Sequence, residues 1–149
     1  MLIGVPGSGK TTWAQNQSWL HDCAYISTDK FVEAFALQQG KTYSEVFNDY
    51  MPTAIELMIE DVAKARYKRQ DIIWDQTSTT IASRRRKFNL LPGYEAIAIV
   101  FATPNMDELS KRLDSRPGKI IPNDVLKDMI MGWEEPNIVE GFKEIRHIN

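Results

Sequence analysis

The sequence predicts an α/β domain, a parallel sheet of about four strands wound by helices, on three observations. A glycine-rich phosphate-binding loop, Gly4-Val5-Pro6-Gly7-Ser8-Gly9-Lys10-Thr11, stands between an apolar run and a helix start at the amino end. Short apolar, β-rich runs then alternate with helix-patterned stretches along the chain. Finally, 149 residues that are 43% hydrophobic and 26% charged suit a single domain, 1–149, with a real core.

The elements follow in chain order. Met1-Leu2-Ile3 reads as a first strand, and Thr11-Thr12-Trp13-Ala14-Gln15 as the opening turns of a helix. Cys23–Ser27, Asp71–Asp75 and Tyr94–Ala102 read as three further strands, apolar enough for a sheet buried on both faces. Between the second and third, Ala54, Leu57, Met58, Asp61, Val62 and Ala65 fall on one helix face. Pro52 either starts that helix or kinks an earlier one. Met106, Leu109 and Leu113 mark a helix after Pro104, and Val125, Leu126, Met129 and Ile130 mark another from Pro122. There is no repeat, linker or low-complexity tract.

Composition excludes several classes. A net charge of −2 argues against a large non-specific DNA-binding surface, though not against a local basic groove. The single cysteine, Cys23, cannot close an internal disulfide, so a reducing compartment and no disulfide-linked partner are expected. No apolar run approaches the ~18 residues of a membrane span, and Met1 runs straight into a strand without a signal peptide. The expectation is a soluble, cytoplasmic protein.

The loop carries the chemistry. Its glycines permit positive φ and close approach of backbone N–H groups to phosphate oxygens. Lys10 can bridge β- and γ-phosphates, and the Thr11 hydroxyl can ligate Mg²⁺. Gly7, Ser8, Gly9, Lys10, Thr11 and Thr12 are therefore the candidate residues for ATP, with Thr11 as the metal ligand. In such folds ligands bind at the carboxyl ends of the strands. The second strand ends in Ser27-Thr28-Asp29 and the third in Trp74-Asp75-Gln76-Thr77, each bringing a carboxylate towards the γ-phosphate position. Asp29 reads as a catalytic base or as the N-cap of the helix beginning at Lys30. Asp75 reads as an orienter of Mg²⁺-bound water or as a turn residue.

Arg112 and Arg116 lie four apart, so on a helix they share a face, and Pro117-Gly118 ends that helix. A mobile basic segment there suits a lid that closes on a triphosphate; a solvated helix end is the plain alternative. The run Arg84-Arg85-Arg86-Lys87 reads as a solvated face or, alternatively, as a source of one or two cations for an acceptor's phosphodiester backbone, for which Arg84, Arg85, Arg86 and Lys119 are the nearest candidates. Trp13, Trp19 and Trp133 are core or rim residues able to stack a base. His21 and His147 lack metal-ligand spacing.

Taken together, the loop, Ser27-Thr28-Asp29, Asp75-Gln76-Thr77, Lys111 to Arg116 and Pro122-Asn123-Asp124-Val125-Leu126 resemble, in order and gaps, the kinase domain of phage polynucleotide 5′-hydroxyl kinases. These belong to the small P-loop kinases that include zeta toxins, and the resemblance spans roughly residues 1–132. It implies a P-loop NTPase fold with an arginine-bearing lid and transfer from ATP, with Mg²⁺, to the 5′-hydroxyl of DNA or RNA, in a bacterial or phage-infected cell. It implies Asp29 as the general base, Lys10 and Arg116 as catalytic cations, and Arg112 as a second donor-side arginine. Asp75, Thr77 and Arg84 join Asp29 as candidate acceptor-binding residues. Where that family has an arginine three residues after the base, this chain has Val32, which bears on the acceptor more than on the chemistry. A nucleoside or other small-molecule kinase of the same fold is one alternative. A nucleotide-dependent RNA-binding module without catalysis, as in other relatives, is another.

Overall fold

A computed structural model describes residues 1–149. Five strands alternate with six helices: β1 (Leu2–Ile3), α1 (Lys10–Gln15), β2 (Ala24–Ile26), α2 (Asp29–Gln39), α3 (Tyr43–Tyr67), β3 (Ile72–Trp74), α4 (Ile81–Leu90), β4 (Ala96–Phe101), α5 (Met106–Asp114), α6 (Asn123–Met131) and β5 (Phe142–Ile148). β1 pairs with β4, β4 with β5, and β2 with β3, every ladder parallel. A parallel bridge between Leu2 and Asp75, with Gly4 N–H donating to the Thr77 carbonyl at 2.9 Å, joins the two ladders. The spatial order is therefore β2-β3-β1-β4-β5, with β1 in the middle.

Strand alternation assigns each residue to a face. Leu2, Ile73, Ile99 and Phe101 pack with Ala14 of α1 on one face. Ile3, Ala98 and Val100 face the other way, as do Ile26 and Trp74, which pack with Met58 and Val62 of α3. Both faces are thus covered, which is why the central strands are almost wholly apolar.

The fifth strand is one more than expected. Pro52 lies inside α3, whose start is instead fixed by a capping box: Thr42 accepts from Glu45 N–H and Glu45 reaches back to Thr42 N–H. α5 ends at Asp114, so Arg116 lies beyond it and does not share a helical face with Arg112. No helix is long and apolar enough to cross a membrane.

Candidate active site at the carboxyl ends of the strands

The loop between β1 and α1 turns through two left-handed glycines, Gly7 at φ 82° and Gly9 at φ 96°. A Cβ on Gly7 would meet Leu109 Cδ1 at 2.8 Å, so α5 is packed directly against the loop. A Cβ on Gly9 would meet nothing within 4 Å. At Gly9 the conformation demands glycine, and the backbone there presents a bare face that a phosphate can approach. Lys10 is buried and donates to the carbonyls of Gly4 and Val5, both at 2.9 Å, and to Ser8 Oγ at 3.3 Å. Burial lowers its pKa to about 8, with Asp75 and Asp29 acting in the opposite direction and Arg116 and Lys119 adding to the fall. The charges that act on this ammonium thus come from two strand ends and from the segment after α5.

Asp75 follows β3 on the face that carries α1. Thr11 Oγ1 donates to Asp75 Oδ2 at 2.6 Å. Tyr25, on the same face of neighbouring β2, donates to that oxygen as well. Desolvation and then the Asp75 carboxylate raise the Tyr25 pKa, so the phenol stays a donor. A hydroxyl and a carboxylate oxygen at this spacing form a hard-oxygen set that fits Mg²⁺, an ion usually held by one or two protein oxygens plus phosphate and water. Thr12 is exposed on α1, and the Thr77 carbonyl is occupied by Gly4 N–H.

Asp29 is the first residue of α2. Its carboxylate makes no helix cap, the N-cap being Thr28 without a side-chain bond. It accepts instead from Tyr43 Oη at 2.8 Å and from Lys119 Nζ at 2.6 Å. Lys119 lies 4.2 Å from the centre of the Tyr43 ring and reaches Glu33 at 3.3 Å. Burial, then the Asp29 charge, hold the Tyr43 phenol protonated. The segment carrying Lys119 is docked at the α2–α3 corner: Gly118 C=O accepts from Ser44 N–H at 3.0 Å, and Ile120 N–H donates to Ser44 Oγ at 2.8 Å. Arg112 donates to Glu108 at 2.7 Å and to the Gly7 carbonyl at 3.1 Å, tying α5 to the loop.

Arg84 corrects an expectation. It is fully buried, its Nε and Nη2 donate to both Glu140 oxygens at 2.7 and 2.8 Å, and its Nη1 donates to the Ser78 carbonyl at 3.0 Å. With every face of the guanidinium committed inside the fold, Arg84 is not available to an acceptor. Lys87, one turn on, is buried too, 6.0 Å from the Trp74 ring, whereas Arg85 and Arg86 are exposed. Val32 is a core residue, packed with Ala36, Val46 and Ala54. Cys23 is half-buried, and burial followed by Asp71 and Asp22 raises its thiol pKa. Tyr25 and Tyr43 were not among the expected site residues, and Lys119 was expected as a cation for backbone phosphates rather than as the partner of Asp29. Tyr25 carried a faint signal, a polar-tipped residue two positions ahead of the Ser27-Thr28-Asp29 turn.

A family model described as an AAA domain matches residues 1–136. The chain belongs to the AAA domain family. Human heterogeneous nuclear ribonucleoprotein U-like protein 2 is 22% identical to this AAA domain over 163 aligned positions, which take in 99% of the chain and 21% of that protein. The chain thus spans about a fifth of the length of this curated relative. Among solved structures, a candidate kinase from Chloroflexus aurantiacus superposes with a TM-score of 0.70 at 20% identity, covering 99% of this chain and 81% of the other. Shikimate kinase from Acinetobacter baumannii, in complex with shikimate, gives 0.55 at 18% identity, covering 99% and 82%. At these identities the likeness is one of fold. This AAA domain has the architecture of the small P-loop kinases, with the phosphate loop and both strand-end aspartates at one edge of the sheet.

Proposed function

We propose that the chain is an ATP-dependent kinase that moves the γ-phosphoryl group to a hydroxyl, with the 5′-hydroxyl of DNA or RNA as acceptor. One observation carries the kinase reading: a half-exposed Asp29 carboxylate stands at the same sheet edge as Lys10 and the Thr11–Asp75 pair, with Lys119 and Tyr43 holding it in place.

The roles follow from charge and reach. Lys10 and Arg116 offset the negative charge spread over the donor oxygens in a loose transition state. Thr11 and Asp75 would hold Mg²⁺, which when bound neutralises donor phosphate charge. Asp29 takes the proton of the acceptor hydroxyl as its oxygen bonds to phosphorus and the bond to the ADP oxygen breaks, leaving ADP with the electron pair. The resemblance in motif order supports a polynucleotide acceptor, as does a relative named as a ribonucleoprotein, and Arg85 and Arg86 are exposed cations able to meet backbone phosphates.

A second reading, a small-molecule acceptor, is favoured by the 118–120 segment, which is docked on Ser44 and sets Lys119 directly on Asp29. Transfer from γ-labelled ATP to 5′-hydroxyl oligonucleotides, nucleosides and sugars separates the two. A labelled nucleoside or sugar beside an unlabelled oligonucleotide overturns the polynucleotide acceptor and leaves the kinase standing. Absence of label on every acceptor, with no ADP formed, overturns the kinase.

A further inference from the structure

The ends of β2 and β3 divide the site between the two faces of the sheet. Tyr25 and Asp75 lie with Thr11 on the face that carries α1. Alternation sends the next residue along each strand the other way. Ile26 and Trp74 stand opposite one another and pack on α3, and two positions on, Thr28 and Gln76 continue that face. Asp29 and the Tyr43 hydroxyl that bonds it belong to α2 and α3, on the same side. Gln76 therefore stands on the side of the proposed base, opposite Thr28, whose chain neighbour is Asp29.

Its side chain is held at both ends of the amide. Buried Trp74 has one polar side-chain atom, an indole nitrogen that can only donate, and it donates to Gln76 Oε1 at 2.9 Å. That donor fixes which way the amide points. Gln76 Nε2 faces away from the indole and donates to Thr28 Oγ1 at 3.2 Å. The backbone on either side is pinned as well. Asp75 N–H donates to the Ile26 carbonyl at 2.8 Å, and the Thr77 carbonyl accepts from Gly4 N–H at 2.9 Å. An amide nitrogen carries two hydrogens, and Thr28 takes one. The second belongs to a half-buried donor set between Asp75 and Asp29 at the carboxyl edge of the sheet. A loose glutamine would lose rotamer freedom on gripping a ligand; this one has lost it on folding. Arg84, expected to serve the acceptor, is committed to Glu140, whereas Gln76 keeps a hydrogen to offer.

We propose that Gln76 is an acceptor-binding residue, donating its second amide hydrogen to the ring oxygen of a sugar whose hydroxymethyl oxygen meets Asp29. Those two oxygens are borne on adjacent carbons. A hydroxyl brought to Asp29 thus carries the ring oxygen towards Thr28, the preceding residue, and Gln76, its cross-strand neighbour. The inference rests on the kinase reading and sharpens it: the acceptor is a hydroxyl borne beside a ring oxygen, a feature shared by nucleic-acid ends, nucleosides and sugars.

The test compares acceptors that differ only at that oxygen: an oligonucleotide beginning with a 5′-hydroxyl thymidine, free thymidine, and ribose, each beside its carbocyclic counterpart with CH₂ in the ring. For whichever of these wild type labels, kcat/KM should be about threefold or more higher with the ring oxygen present, the worth of one hydrogen bond. Gln76→Met should erase most of that preference and leave the KM for ATP unchanged. It also strands the Trp74 indole, so its thermal midpoint should fall. Gln76→Glu keeps an oxygen for the indole but has no hydrogen to offer, so it should lose the preference with a midpoint closer to wild type.

A wild type that treats the two forms alike overturns the proposal and leaves the kinase standing. So does a preference that survives in both variants, and lower midpoints beside it would assign Gln76 to the support of Trp74 alone. Failure of wild type to label any acceptor overturns the kinase reading, and this inference with it.

Discussion

Replacing Glu140 with Gln should destabilise the protein far more than a surface substitution, because it strands the Arg84 guanidinium. Arg84 is 0% exposed and Glu140 10%, and two charge-assisted hydrogen bonds at 2.7 and 2.8 Å join them. Gln keeps the shape but puts an NH₂ donor against an arginine donor and removes the compensating charge. Breaking a buried pair by removing one partner costs about 3–5 kcal/mol, and the slight exposure of Glu140 argues for the lower end. Against a typical total of about 5–15 kcal/mol that is a large fraction. For a chain of this size about 3 kcal/mol corresponds to a midpoint lower by roughly 6–12 °C. Urea unfolding followed by tryptophan fluorescence measures it, with an unchanged slope and a lower midpoint. Arg84→Met combined with Glu140→Leu should recover most of the loss.

The pH dependence gives an independent check on the same pair. Burial alone would raise the Glu140 carboxyl, but bonds from Arg84 and from Asn137 N–H outweigh it and hold the carboxyl below its ordinary value. A depressed carboxylate contributes stability above its unfolded pKa, near 4.5, and loses it as pH falls through the folded value. Wild type should show that acid component and Glu140→Gln should lack it. A loss below about 1 kcal/mol, the range of an exposed ion pair, would refute the buried-pair reasoning and return Arg84 to the pool of possible acceptor contacts.

Lys10→Met should abolish transfer while leaving stability equal or higher, since it removes a desolvated charge; calorimetry and γ-label transfer together read this. In wild type, kcat/KM for ATP should decline as pH rises through about 8, where free Lys10 loses its proton. Stability should rise over the interval from there to 10.5, where only the unfolded chain keeps that proton. Asp29→Asn should lower kcat by about a hundredfold or more with ATP affinity little changed, and full turnover per folded molecule would remove Asp29 from the chemistry. If the acceptor is a polynucleotide, Arg85→Gln and Arg86→Gln together should raise its KM and flatten its salt dependence, with the KM for ATP unmoved.

The phosphate loop and the strand-end aspartates were legible because their placement is local. One eight-residue loop fixes its own turn through Gly7 and Gly9, and the aspartates at the ends of β2 and β3 follow from where parallel strands stop. What escaped depends on distant partners. Arg84 and Lys87 are three apart and share the buried face of α4, but tolerance for a buried guanidinium comes from Glu140, 56 residues away. Tyr43 meets Asp29 only because α2 and α3 pack as a hairpin, and Lys119 only because Gly118 abuts Thr42. β5 was missed because an edge strand mixes Phe142, Ile145 and Ile148 with Lys143, Glu144 and Arg146, and so lacks the continuous apolar run of a central strand.

Lys119 sits three residues beyond Arg116, on one short stretch of chain that touches two sites. Arg116 bears on the electrostatics of Lys10, whereas Lys119 grips the carboxylate proposed to receive the acceptor's proton. Any ligand whose binding alters the grip of Lys119 on Asp29 makes the two sites thermodynamically linked. Linkage is reciprocal: the factor by which donor changes acceptor affinity must equal the factor by which acceptor changes donor affinity. Weakening the Lys119–Asp29 contact should shrink both factors together, so that two separate binding titrations report on a single ion pair.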